Sequence, residues 1–393
     1  MKCRLSRVGV LFLVCVLLLS TGCWDQVDVA NLDIVKVLTV DLISENGSDK
    51  WEMGVLVFKP SGKTGGEQGQ SKTFAPEIPW RATGLTMEEA IIDFSKRSPR
   101  FPFFSHTNVI IIGERTAKER TKDVIELAER YRETRPNCFI MVTKDEAYKL
   151  TETEPEVGIT NSEEIKAMAE ITAQPLGLTV RTPLGEFGAL LLSPDRDAVA
   201  SRINLIHTTE KRGEKLAGPA KTTTLEGMGV FSNQKLVGWF DLEETRGYLF
   251  ITQKNTGLIK IPMQRNGKEF TFVVRRTKPK LVTKLVGEKL TVNLKITAEG
   301  SVIEGNGMHL DDEGVKEVEE IATQRIKGMV QSTIARAKEY NSDCLGFSQN
   351  LHRWHVADWE KIKDNWREAY VNADVNVQVE VDLSDTGHLS QGF

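Results

Sequence analysis

No apolar run in this 393-residue chain reaches the roughly 20 residues that a helix needs to cross a hydrocarbon core. The longest, VGVLFLVCVLLL from Val8 to Leu19, has twelve; VIII (Val109 to Ile112) and ALLL (Ala189 to Leu192) are the size of buried strands or core helices. A body that spans the membrane with helices is thereby excluded. Cysteine is scarce too. Of five, Cys3 and Cys15 lie in the first 22 residues. Cys138 and Cys344 would make at most one bridge, which is no disulfide framework, and both are expected to be buried free thiols. HExxH and GxSxG are absent. GKT at Gly62 to Thr64 follows a strand, but a phosphate-binding loop requires Gly five positions before its Gly-Lys pair, and Val57 stands there. Basic charge is lacking as well: 51 Lys and Arg face 55 Asp and Glu, which argues against nucleic-acid binding.

What is present begins at the N-terminus. Lys2, Arg4 and Arg7 precede the twelve-residue apolar block, and Ser20, Thr21 and Gly22 follow it. This is the three-part plan of a secretory signal peptide over residues 1–22. Its removal carries the net charge from −4 to −7, because three basic residues and no acids leave with it. The small-residue tripeptide before Cys23 resembles a bacterial lipoprotein signal, in which the cysteine thiol receives diacylglycerol and becomes the new N-terminus; Ser20 holds the place where that pattern prefers Leu. Lipidation of Cys23 is the expectation, and two acyl chains anchor stably where one binds marginally.

The remaining pattern predicts an α+β protein: mixed sheets with packed helices, several domains, and no transmembrane helix in the mature chain. An N-terminal α/β region is expected over 23–207, a linker in the polar stretch 208–221, and a C-terminal α+β domain over 222–393. In the first region KWEMGVLVF reads as a strand buried on both faces, paired as a hairpin with the preceding strand across the turn-rich ISENGSD, and the Gly/Ser/Gln-rich 61–72 as a loop. Thr86 and Glu89 form a capping box before a helix. HTNVIIIGE and CFIMVTKD read as strands flanking one helix, AKERTKDVIELAERYRE, and two further helices are expected at Ser162 to Thr172 and Pro183 to Leu192. In the second region a long helix from about Asp312 to Tyr340 places Val315, Val318, Ile321, Ala322, Ile326, Met329, Val330, Ile334 and Ala337 on one stripe, expected to pack on a sheet. VADWEKIKDNWREAY places Trp359, Ile362, Trp366 and Ala369 on one helical face, more a core stripe than a partner-binding one. Val375, Val377, Val379 and Val381 alternate with polar residues in a half-buried final strand.

Candidate chemistry is thin. His352 and His355 are three apart in HRWH, yet no carboxylate or thiol stands at a ligand spacing beside them, so a structural or surface role is expected. Asp311 and Asp312 in HLDDEG suit the positive end of the long helix. No catalytic residue, metal ligand or cofactor contact is nominated; Cys23 is the single site residue.

Four blocks carry a resemblance: GCWDQVDVANLDIVKVLTVD, HTNVIIIGE, GMGVFSNQKLVGWFDLEETRGYLFI, and the ending SDCLGFSQNLHRWHVADWEKIKDNWREAYVNADVNVQVEVDLSDTGHL. In this order they resemble the Ger(x)C spore-germination lipoproteins, the C subunits of nutrient germinant receptors in endospore-forming bacteria. The family often carries a basic pair before the final Thr-Gly, whereas Leu383, Ser384 and Asp385 precede Thr386 here. The resemblance implies a mixed α/β protein on the outer face of the spore's inner membrane, not an enzyme, assembled with two integral membrane subunits, one permease-like. A solute-binding lipoprotein of a transporter is the alternative; it would share the anchor but present two lobes around a cleft, against which the long helix and strand-rich second half weigh. An extracytoplasmic hydrolase would need acids and a His converging in a cleft.

Overall fold

The computed structural model describes residues 28–58, 77–131, 134–156, 160–211, 214–252, 257–304 and 310–385. The signal peptide expected over 1–22, Cys23, the GKT tripeptide and the loop expected at 61–72 lie outside the described residues.

A single 3-10 turn, Val29–Asn31, leads into β1 (Leu32–Glu45). β1 pairs antiparallel with β2 (Ser48–Phe58) through Asn46 and Gly47, both at positive φ, the primed turn whose twist matches the strands. β3 (Glu77–Gly84) adds to β2. The expected capped helix follows as α1 (Met87–Ser95): the Thr86 hydroxyl accepts from the Glu89 N–H at 3.0 Å, and the Glu89 carboxylate returns to the Leu85 N–H at 2.7 Å. β4 (Phe101–Phe103) and β5 (Val109–Gly113) both run parallel to β1.

The helix expected next is two, α2 (Glu114–Glu119) and α3 (Thr121–Arg130). The chain bends at Arg120 (φ −137°), where the Thr121 hydroxyl bonds the Ala117 carbonyl at 2.6 Å and the Arg120 guanidinium reaches Asp123 and the Trp51 ring. Side-chain bonds of this kind compete with the helical ladder. β6 (Phe139–Thr143) continues the parallel run, a 3-10 segment spans Ala147–Glu152, and α4 (Asn161–Ala167) loosens into a π-helical turn over Met168–Ala173 where one regular helix was expected. α5 (Leu184–Leu191) starts behind Pro183.

β7 (Val199–Lys211), β8 (Glu214–Ser232) and β9 (Lys235–Phe240) close the first sheet, ordered β3-β2-β1-β5-β6-β7-β8-β9 with β4 beside β1. The stretch 208–221 is therefore no linker. Thr208 pairs with Ala220 and Lys211 with Glu214, so it forms the outer part of the β7–β8 hairpin, and the first sheet extends to Phe240. Polar composition reads as a boundary, whereas backbone pairing carries the stretch into the sheet. Every position of β5 and β6 is buried, since helices α1, α2, α3 and α5 cover one face and the 147–152 turn with α4 covers the other.

α6 (Leu242–Thr252) connects to a second sheet of β10 (Ile259–Arg265), β11 (Lys268–Val286), β12 (Lys289–Glu304) and, last in the chain, β13 (Asp374–Asp385). The first three are antiparallel, whereas β13 lies parallel to β12 from Thr291↔Asp374 onward. The crossover between them is α7 (Asp312–Glu339), α8 (Phe347–Trp354), α9 (Val356–Ile362) and α10 (Trp366–Val371). Asp311 caps α7 by accepting from the Gly314 N–H at 2.8 Å; of the expected stripe Val318, Ala322, Ile326, Met329, Val330, Ile334 and Ala337 are buried, while Val315 and Ile321 are partly buried and pack against the margin of the core. Val377, Val379 and Val381 of β13 join the same core, with Val375 packed at its margin. This core also takes in Val199, Met228, Val230 and Phe240 from the first sheet, so the two halves share apolar contacts. The expected face of Trp359 and Trp366 is split between α9 and α10 by a turn at Asn365 (φ −129°, ψ 22°), yet both rings are buried. The protein is thus a mixed α+β fold with two sheets, and among the described residues no helix is long and apolar enough to cross a membrane.

Candidate functional site

His352 sits near the end of α8 with Nδ1 2.6 Å from the Asp195 carboxylate, and its ring stacks on Trp359 at 5.0 Å. His355 heads α9 and joins no common ligand set with it; no group of three His, Cys, Asp or Glu able to hold a metal occurs among the described residues. Trp359 and Trp366 pack 6.3 Å apart in the core, so they form no exposed hot spot. Cys138 and Cys344 are both free and buried in different halves; burial pushes the Cys138 thiol up to about 12 and the Cys344 thiol higher still, so both stay protonated and unreactive.

The densest polar geometry joins the halves. Three consecutive residues ahead of β7, Asp195, Arg196 and Asp197, each hold a different part of the 341–367 segment. Asp195 holds His352. Arg196 donates to the Cys344 carbonyl and to Gln349 Oε1, both at 3.3 Å. Asp197 accepts both guanidinium nitrogens of Arg367 at 2.8 Å and the Asp343 N–H at 2.9 Å. Arg367 also donates to Ser232 Oγ (2.9 Å) and the Asn341 carbonyl (3.1 Å). Asp343, fully buried, accepts from the N–H groups of Gly346 (2.9 Å), Phe347 (2.9 Å) and Ser348 (2.6 Å), and so closes the start of α8. Burial pushes its carboxyl up to about 6 against those donors, with Asp197 adding to the rise. These groups satisfy one another; the arrangement clamps and does not present a reactive atom.

A second cluster lies at the far end of the first sheet. Asp41 on β1 stands opposite Glu52 on β2, and Glu52 is paired with Arg81 of β3. Burial, then the Glu52 charge, push the Asp41 carboxyl up to about 7, although the N–H groups of Tyr148 and Ala147 donate to it. Gly113, at the end of β5, makes room: a Cβ there would stand 1.7 Å from Asp41 Oδ1. Spacing along the chain carried no sign of either cluster, since each assembles residues from separate elements.

Residues 25–205 match the family described as spore germination protein N-terminal domain, and residues 226–387 the one described as spore germination B3/GerAC like, C-terminal. The chain belongs to the Ger(x)C family. Among curated relatives of this Ger(x)C chain, spore germination protein KC of Bacillus subtilis (strain 168) is 22% identical over 98% of this chain and 96% of its own length. Spore germination protein B3 of the same organism is 22% identical over 97% and 98%. The crystal structure of the GerBC protein superposes with a TM-score of 0.56 at 14% identity, covering 88% of this chain and 97% of that one, which establishes the shared fold. The gap between the two matched regions, 206–225, falls within the β7–β8 hairpin.

Proposed function

We propose that this Ger(x)C protein is a non-enzymatic, lipid-anchored subunit of a spore nutrient germinant receptor, held by diacylglycerol on Cys23 to the outer face of the spore's inner membrane beside two integral membrane subunits, one permease-like. The observation that carries the reading is the match along nearly the whole chain to proteins named for spore germination. The LLLSTGC sequence ending at Cys23 supports the anchor. The two buried polar clusters fit a structural and docking role: their carboxylates are occupied by backbone N–H groups and guanidinium groups, and both thiols among the described residues are buried.

The test is Cys23→Ala in the full chain expressed in a sporulating host. The variant is expected to leave the membrane fraction and to slow nutrient-triggered germination, while germination by agents that bypass nutrient receptors is unchanged. Unaltered membrane retention refutes the anchor, and normal nutrient response in a strain lacking the protein refutes the receptor role.

A further inference from the structure

The first described residues open beside an exposed apolar pair. Val29, in the 3-10 turn ahead of β1, is 68% exposed. Phe101, which heads β4, is 65% exposed, and β4 lies against the start of β1 with Leu32 paired to Phe101. Pro99 and Arg100, just before it, are exposed as well. The same end of the sheet gathers cations. Lys36 stands on β1, Arg135 is exposed just before β6, and the two positive charges, after partial burial, push the His106 imidazole down; His106 itself packs against Phe103 at 6.0 Å. The neighbouring acids are engaged: Asp33 is buried against Ser98 with Arg100 at 3.9 Å, and Asp28 accepts its own turn's Ala30 N–H.

Geometry relates this surface to a bilayer. On the lipid-anchor reading, on which this inference rests, Cys23 precedes Asp28 by five residues, a span of at most about 18 Å when fully extended. Leu32, and with it Phe101, follows four residues later. An aromatic ring and a valine left in water at the tethered end, with Arg100 beside Phe101 and Lys36 and Arg135 farther along the same end of the sheet, match the chemistry of an anionic headgroup layer over acyl chains. We infer that this end of the first sheet docks on a phospholipid surface, with Phe101 and Val29 entering the interface and Lys36, Arg100 and Arg135 meeting anionic headgroups. The opposite end then points away from the membrane. Leu85, which follows Gly84 at the β3 terminus opposite Trp51, marks that end, about 30 Å up the strands.

The experiment uses the full lipidated chain in vesicles of phosphatidylcholine with phosphatidylglycerol. Phe101→Cys and Leu85→Cys each receive an environment-sensitive fluorophore, the native thiols of the body being buried. At position 101 the emission is expected to shift to the blue and to fall several-fold with a lipid-attached quencher, whereas position 85, 62% exposed, keeps a water-like signal. Combining Lys36→Glu and Arg100→Glu weakens the quenching at 101. A protein that stays with the vesicles while both labels remain in water overturns the docking and leaves the anchor standing. Loss of the protein from the vesicles overturns the anchor and the docking together. Quenching at both positions overturns the orientation. Shielding at 101 that requires an added membrane protein overturns the lipid assignment in favour of a protein contact.

Discussion

Asp41 sits at an interior strand position where ionisation is opposed by burial and by Glu52 across the strands. In the fold its carboxyl titrates near 7, against 3.8 in the free chain, so between these values the folded state binds more protons than the unfolded one. Stability is therefore full below about pH 4, falls as pH rises toward 7, and is level above it. Asp343, raised to about 6, acts in the same direction over a narrower window. Asp41→Asn is expected to flatten this fall, retaining on the order of 4 kcal/mol relative to the native chain at pH 8 and little at pH 4. Urea titrations at the two pH values measure this, and equal losses in both proteins would remove Asp41 as the cause. None of this was legible along the chain: Asp41 reads as one polar residue in an apolar strand, and its companions come from β2, β3 and the 147–152 turn.

At the scale of elements, local chemistry predicted where helices begin better than where they stay continuous. Thr86 caps α1 and Asp311 caps α7 because a side-chain oxygen two or three residues ahead of a free N–H needs only local geometry. Thr86→Ala should cost about 1 kcal/mol, read as a lower urea midpoint at unchanged slope. A change of slope instead would mean that α1 is lost outright. Continuity is different. The helices expected over Ala117 to Glu133 and Val356 to Tyr370 are each broken, at Arg120 and around Asn365, because the bend delivers particular side chains: Arg120 to Trp51 and Asp123, and Trp359, Trp366 and Arg367 to the core and to Asp197. Periodicity reports a face and not whether one axis carries it. The valine alternation of β13 was fully legible because a strand's two faces depend only on parity.

For the whole molecule, the coupling of the halves rests on the shared apolar core and on the clamp of Asp195, Arg196 and Asp197 onto the 341–367 segment. Asp197 is buried and Arg367 largely so. Arg367→Ala leaves a buried carboxylate short of its counter-charge and is expected to destabilise by roughly 3 kcal/mol. Arg367→Met combined with Asp197→Asn should cost less than Arg367→Ala alone, since no uncompensated charge remains. Thermal unfolding of the single and double variants decides it; additive losses would show that the pair is not coupled. The same scale carries the membrane predictions: an anchor at Cys23 and docking through Phe101 would set the direction in which the second sheet is presented.

The sequence by itself determined the composition of the parts. The apolar block ahead of Cys23, the strand and helix periods, the cap residues and the ordered Ger(x)C blocks are all local in the chain, and local hydrogen bonding and side-chain parity suffice to express them. Tertiary structure alone decided what those parts enclose: that 208–221 belongs to a hairpin of the first sheet, that Trp359 and Trp366 are buried while His352 pairs with Asp195, and that Asp197 and Asp343 lose their water and Asp41 most of it. Burial and charge pairing depend on which distant elements close over a residue, and that is a property of the packed fold rather than of the neighbours in the chain.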